Sequence, residues 1–195
     1  MKTLLCNTDD DIYSETSEKE DLTNLKIKNR SINISEYTST NLSESYYENV
    51  QFDKCTFNKC DLSNIKFIDC SFRDTKFNNC KLLGTNFINN HFTNIEINDS
   101  LCKYINFVDL KTKQLKIKNS DLSESSFYNV ELNKFEIDNS NLSGTDFVDT
   151  KLRGINLSTC KIEGLKLTPE TLIGVQVNAI QAVELVSLLG IEIVE

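Results

Sequence analysis

From Leu22 onward a large apolar residue returns at every fifth position. The series runs Leu22, Ile27, Ile32, Tyr37, Leu42, Tyr47, Phe52, Phe57, Leu62, Phe67, Phe72, Phe77, Leu82, Phe87, Phe92 and Ile97. It continues through Cys102, Phe107, Thr112, Ile117, Leu122, Phe127, Leu132, Ile137, Leu142, Phe147, Leu152, Leu157, Ile162, Leu167 and Leu172. Of these 31 positions 29 are large and apolar, so the regularity belongs to the chain and not to one stretch of it. A helix would place apolar residues every 3.6 positions and a strand every second one; neither gives a period of five.

Two residues before the large centres stands a second series of mostly small or β-branched residues, as at Cys55, Cys60, Ile65, Cys70, Thr75, Cys80 and Thr85. Two residues after it Asn, Asp or Gly prevail, as at Asn64, Asp69, Asp74, Asn79, Gly84 and Asn89. These residues tolerate left-handed backbone and hydrogen-bond their own turns. Each five-residue unit therefore predicts one short side and one corner, with two side chains inward and three outward. Like residues also recur every twentieth position, as in Ile27, Tyr47, Phe67, Phe87, Phe107, Phe127 and Phe147. Four units thus close one coil, and equivalent positions stack about 4.8 Å apart. The expected fold is an all-β solenoid with four sides, about seven coils and about 35 Å long between residues 22 and 167. Its expected core ladder includes Leu62, Phe67, Phe72, Phe77, Leu82, Phe87, Phe92, Phe107, Leu122, Phe127, Leu142 and Phe147. Cys102 and Thr112 replace large centres and Leu101 enters an outward slot, which predicts local distortion near residues 100–115 without an inserted loop. A leucine-rich horseshoe shares the twenty-residue period but needs one strand and one unlike arc per repeat, whereas these four sides are alike.

The ends leave this frame. Residues 1–21 carry seven acids against Lys2 and Lys19 and read as an acidic cap or a disordered segment, with a covering strand over Thr3 to Cys6 conceivable. Residues 22–172 form the repeat body, and 173–195 a terminal module. In that module Asn178 with Gln181 makes a capping-box pattern, and Gly190 is the expected stop. Between them only Gln181, Glu184 and Ser187 are polar, a narrow stripe on an otherwise apolar helix. Such a helix needs burial on more than one side: one side closes the open coil and the other calls for a partner. Ile180, Val183, Leu185, Val186, Leu188, Leu189 and Ile191 are the expected dimer interface, and Ile191 to Val194 reads as a short strand.

Composition narrows the chemistry. The apolar run before Asp9 is about three residues, too short for a signal peptide, and no run approaches the roughly 18 of a membrane span, so a cytoplasmic protein is expected. Seven cysteines and one histidine, His91, include no Cys-x-x-Cys pair, which argues against zinc. Most of the cysteines fill inward slots of the repeat. Without a nucleophile–base pair, a glycine-rich phosphate loop or an acid pair the repeat does not explain, an enzyme is not expected, and no cofactor is implied.

With repeat and tail in place, the chain resembles the pentapeptide-repeat family, whose consensus is small–Asn/Asp–Leu/Phe–x–x. Cys60-Asp61-Leu62-Ser63-Asn64 and Ser140-Asn141-Leu142-Ser143-Gly144 carry the resemblance. The tail, Leu172 to Val177, Gln181-Ala182 and Leu188 to Ile191, resembles that of the Qnr-type and mycobacterial fluoroquinolone-resistance members. The unbroken frame resembles their loop-less members. The resemblance implies a right-handed quadrilateral β-helix, a homodimer through the C-terminal helix, and binding to a type II topoisomerase (DNA gyrase or topoisomerase IV). It further implies mimicry of duplex DNA, protection from quinolones, and no direct nucleic-acid or membrane contact. The alternative is a repeat interaction or immunity-type protein with another protein partner.

Mimicry calls for negative charge along the rod. The net charge is −8, but residues 1–21 hold −5 of it and residues 168–195 hold −4, leaving the repeat body near +1. The face centred on Leu22, Leu42 and Leu62 is mildly acidic, and Glu44, Asp61, Asp121 and Glu124 are its candidate partner-binding residues. The face centred on Ile32, Phe52 and Phe72 is basic, with Lys54, Arg73, Lys111, Lys113, Lys134, Lys151 and Arg153. A second candidate surface is an outward apolar ladder, Ile68, Ile88, Val108, Tyr128 and Val148, on the face centred on Phe67 and Phe87.

Overall fold

A computed structural model describes residues 10–191, apart from the side chain of Leu189. The chain winds as a parallel β-solenoid in which each residue pairs with the one twenty positions on: Phe67 with Phe87, Phe87 with Phe107, Phe107 with Phe127. Face one carries the centres Leu22 to Ile162, face two Ile27 to Phe147, face three Ile32 to Leu152, and face four Tyr37 to Leu157. Faces two and three form one eleven-stranded sheet, because Lys26–Asn33 and Tyr46–Asp53 run unbroken round the corner between them. Face four is a seven-stranded sheet. Face one has no extended strands and is held by single bridges along Asp21, Asn41, Asp61, Lys81, Leu101, Asp121, Asn141 and Lys161.

The corners lie two residues after each centre, and their backbone is left-handed from Ser14 to Gly174, at φ between 46° and 81°. Three corners depart: Gln114, Thr159 and Pro169, the last because proline cannot adopt positive φ. Residues with a real cost there are accepted too, among them Ile34 at φ 50° and Tyr104 at φ 59°.

Inside, aromatic rings stack coil on coil. Phe67 lies 4.9 Å from Phe87, Phe127 lies 4.7 Å from Phe147, and on face three Phe52 lies 4.6 Å from Phe72. These spacings match the strand separation, so every ring meets its neighbour at van der Waals contact. The small inward slot has its own chemistry. Thr85 Oγ1 donates to the Leu62 carbonyl at 2.8 Å, Thr145 Oγ1 to that of Leu122 at 2.8 Å, and Cys55 Sγ to that of Ile32 at 3.2 Å. Ser, Thr and Cys thereby donate to carbonyls of the large centres one coil back.

The frame begins earlier than the sequence suggested. Ile12–Tyr13 and Thr16–Glu18 pair with Ile32–Asn33 and Glu36–Thr38, and Ile12 and Ser17 are buried. Over residues 10–21 the acidic segment is therefore the first coil rather than a cap or a disordered lead; Ser17, a polar centre, hid the register. The Thr3–Cys6 strand lies outside the described residues. At the other end the coil runs past Leu172: Asn156 bridges to Gln176, and Val175 and Val177 pack against the core.

Irregularity falls in two places. At Thr112 the hydroxyl accepts from the Asn133 N–H at 3.1 Å, and the following corner, Gln114, loses its left-handed turn. A larger break lies lower. From Asn141 to Leu165 the sides take the tight-turn form that earlier coils reserve for face one. On faces three and four the preceding coil still has extended strands, Glu131–Leu132 and Phe135–Asp138, and these do not pair with 151–158. Among the described residues no backbone hydrogen bond joins 131–138 to 151–158. Faces one and two stay closed through Asn141–Lys161 and Ser126–Asp146–Lys166. The result is a seam open on two sides, holding cavities of about 370 Å³ beside Phe135, Ile137 and Asn156 and about 390 Å³ beside Glu131, Leu132 and Lys151.

The chain ends in helix α1 (Ala179–Val186), then a 3₁₀ turn (Ser187–Leu189) and Gly190 at φ 70°. The capping box forms: Asn178 Oδ1 accepts from the Gln181 N–H at 3.0 Å, and Gln181 Oε1 accepts from the Asn178 N–H at 2.9 Å. Gln181 does not face solvent with Glu184 and Ser187. It is buried, and its Nε2 donates to the carbonyls of Leu157 (2.9 Å) and Cys160 (2.7 Å). A polar hook thus docks the helix, since the exposed carbonyls of the last coil need donors more than apolar cover. Beyond Ile191, the expected Ile191–Val194 strand lies outside the described residues.

Candidate functional site

The core ladder residues Leu62, Phe67, Phe72, Phe77, Leu82, Phe87, Phe92, Phe107, Leu122, Phe127, Leu142 and Phe147 are all fully buried. The described cysteines are buried as well. Burial pushes the Cys55 thiol up to about 11 and those of Cys70 and Cys102 up to about 12. Thiols held so far from the thiolate are poor nucleophiles. His91 stands alone on the outside of face three. Anything this molecule recognises must meet its outer faces.

The four candidate acids of face one differ. Glu44 and Glu124 occupy exposed corners at φ 59° and 58°. Glu124 folds over Gly144, where a Cβ would lie 2.5 Å from its Oε1, so glycine at that corner makes room for the carboxylate. Glu44 accepts from Asn64 Nδ2 at 2.7 Å. Asp61 and Asp121 instead serve their own turns. Asp61 Oδ1 accepts from the Ser63 N–H at 3.0 Å, while Asp121 Oδ1 accepts from Ser123 and Asn141. Each also meets a lysine of a neighbouring coil, Lys81 at 3.6 Å and Lys103 at 3.6 Å. Burial alone would raise the Asp121 pKa, but the Ser123 hydrogen bonds and Lys103 outweigh it and hold the carboxyl below its usual range. Of the four candidate acids of face one, Asp61 and Asp121 are thus paired with lysines, while Glu44 and Glu124 stand at exposed corners.

Other acids also pair across coils. Lys28 meets Glu48, Arg73 Nε meets Asp53 at 2.7 Å, and Lys76, Lys111 and Lys116 meet Glu96, Glu131 and Glu136. On face two the predicted apolar ladder is in register, Ile68 beside Ile88, Ile88 beside Val108 and Val108 beside Tyr128. Ile68, Ile88 and Val108 are half-buried, and Tyr128 and Val148 are 46% and 39% exposed. Sequence reasoning missed the corner that borders this ladder: Asn29, Asn49, Asp69, Asn89, Asp109, Asn129 and Asp149, where Asn side chains donate to the carboxylates of Asp69 and Asp109. The signal was present, as the fifth residue of every fourth unit.

On α1, Ile180, Val183 and Leu188 are exposed at 76%, 55% and 38%, and Ile191 at 54%. Leu185 and Val186 are half-buried, Leu185 against the core. The Leu189 side chain lies outside the described set.

A solenoid of five-residue sides, cornered by left-handed residues and filled by alternating large and small inward slots, defines a repeat class. A model of the pentapeptide repeat region matches residues 30–107, and one for pentapeptide repeats matches residues 120–158. Together they span more than half of the sequence, and the chain belongs to the pentapeptide-repeat family. No curated protein matches it. Among solved structures it is similar to a trypsin-treated form of QnrB1, a plasmid-mediated fluoroquinolone resistance protein, at 20% identity, covering 93% of this chain and 100% of that one with a TM-score of 0.40. It is also similar to HetL, a pentapeptide repeat protein involved in heterocyst differentiation regulation in Nostoc sp. strain PCC 7120. There identity is 12%, coverage 87% and 91%, and the TM-score 0.36. Rfr23 from Cyanothece 51142 is 11% identical, with coverage of 87% and 89% and a TM-score of 0.21.

Proposed function

We propose that the chain is a non-catalytic binding protein that engages a type II topoisomerase as a tail-to-tail dimer of rods, occupying the place of duplex DNA. The observation that carries this reading is the end of the molecule. Helix α1 is hooked to the last coil through Gln181, yet leaves Ile180, Val183, Leu188 and Ile191 in solvent, and apolar side chains so grouped call for a partner surface. A second copy doubles the rod and supplies a two-fold axis, matching an enzyme that is itself two-fold. Glu44 and Glu124, corner acids with no ion-pair partner among the described residues, belong to the candidate contact.

The test is a gyrase supercoiling assay with and without ciprofloxacin, beside Val183→Glu and Leu188→Glu. The parent should inhibit or protect the enzyme, and the two variants, monomeric in sedimentation, should lose most of that effect. A parent without any effect on gyrase or topoisomerase IV sinks the reading.

A second reading has its own support. Asp61 and Asp121 are neutralised by lysines, which weakens face one as an imitation of phosphates and favours a different protein partner.

A further inference from the structure

Seven acids of this solenoid meet a base on a neighbouring coil, and one stretch of one face carries acids and no base at all. Between Asn86 and Asp149, no Lys or Arg occupies an outward position of face two or of its two corners. Asp109, Glu124, Asp146 and Asp149 do, and among the described residues none of the four has an ion-pair partner. Asp146 also carries a buried carboxylate oxygen, Oδ1, without a hydrogen-bond partner. Through the middle of this acidic frame run the last four residues of the apolar ladder, Ile88, Val108, Tyr128 and Val148, with Tyr104 59% exposed on the nearer corner. An apolar stripe edged by uncompensated carboxylates combines two costs to an isolated chain, and a single kind of partner relieves both.

We infer that face two from Ile88 to Val148 is a docking surface for a cationic amphipathic helix of a protein partner. The occupant follows from three features. Charge complementarity requires Lys or Arg at the margins and apolar residues at the centre. The stripe crosses three coil steps, about 14 Å, which is the rise of about ten helical residues. Down to Val108 every strand of this face is hydrogen-bonded on both sides, so no edge is open there to an added strand, and recognition must use side chains. The surface does not require that the partner be a topoisomerase, so the two proposals fail separately.

The test uses the full chain and a fluorescein-labelled 14-residue Leu/Lys amphipathic peptide, read by anisotropy. The controls are a peptide of the same charge without leucines and a Leu/Glu counterpart. The Leu/Lys peptide should bind, and the controls should not. Tyr128→Ser with Val148→Ser should weaken binding by about tenfold or more, as loss of central apolar contacts does. The volume-conserving pair Asp109→Asn and Asp149→Asn should weaken it and flatten its salt dependence; this pair decides the matter should the first variant unfold. Lys113→Ser with Arg153→Ser on face three should change nothing. Equal binding of the leucine-free peptide, or Leu/Lys binding untouched by the face-two variants, overturns the assignment. So does the absence of binding by the parent.

Discussion

Phe87 and Phe127 stand in one column, each fully buried and each touching a ring above and below. Neighbouring coils cannot close over a gap without breaking register. Truncation of either to Ala should cost about 3–5 kcal/mol in urea unfolding. Thr112→Ala, in the same inward column system, removes a hydroxyl bond to Asn133 and should cost about 1 kcal/mol. At the corners the sign reverses. Ile34 holds a β-branched, half-exposed side chain at φ 50°, so Ile34→Asn should raise stability by about 1 kcal/mol. The buried thiols yield a further expectation. Ellman's reagent at pH 8 should leave the six described cysteines unreacted in the native protein and reach them only on unfolding.

Between coils, the acid–base ladders make the elements sensitive to acid. Arg73 holds Asp53 below its usual range, and Ser123 with Lys103 does the same for Asp121 against the opposing pull of burial. A lowered carboxyl pKa stabilises the fold above the ordinary aspartate value, about 3.9, and that contribution is lost as pH falls through the lowered value. The melting temperature should therefore drop between pH 6 and pH 3, and Asp53→Asn should make the drop shallower. The repeat frame was legible because an inward apolar residue every fifth position has no other geometric use. Ser17 and the buried Arg30 were not: a polar residue in an inward slot carries no apolar mark. The sequence marks Gln181 only as a cap residue and as one of three polar positions in a narrow stripe, and its amide is what the last coil's carbonyls require. The acidic corner of face two was missed because Asn and Asp were counted as turn formers before their charges were.

As a whole the molecule is a rod whose faces differ in charge while its interior repeats. The change of side shape at Asn141 had a sequence signal, glycine at Gly144, Gly154, Gly164 and Gly174, every second corner, against Gly84 alone before it. What composition could not show is that extended sides do not fit turn-shaped ones, so the misfit concentrates at a single interval. In a linear array each coil is stabilised mainly by its neighbours, and cooperativity passes along the array only as strongly as its weakest coupling. With two of four sides unzipped between 131–138 and 151–158, that coupling is interrupted once. The solenoid should consequently behave as two folding units of unequal size, the C-terminal one unfolding at lower urea and giving a biphasic transition. Native-state hydrogen exchange should show one protection level up to about residue 130 and a lower one beyond residue 150. Coincident exchange along the entire rod would mean that faces one and two alone carry the coupling.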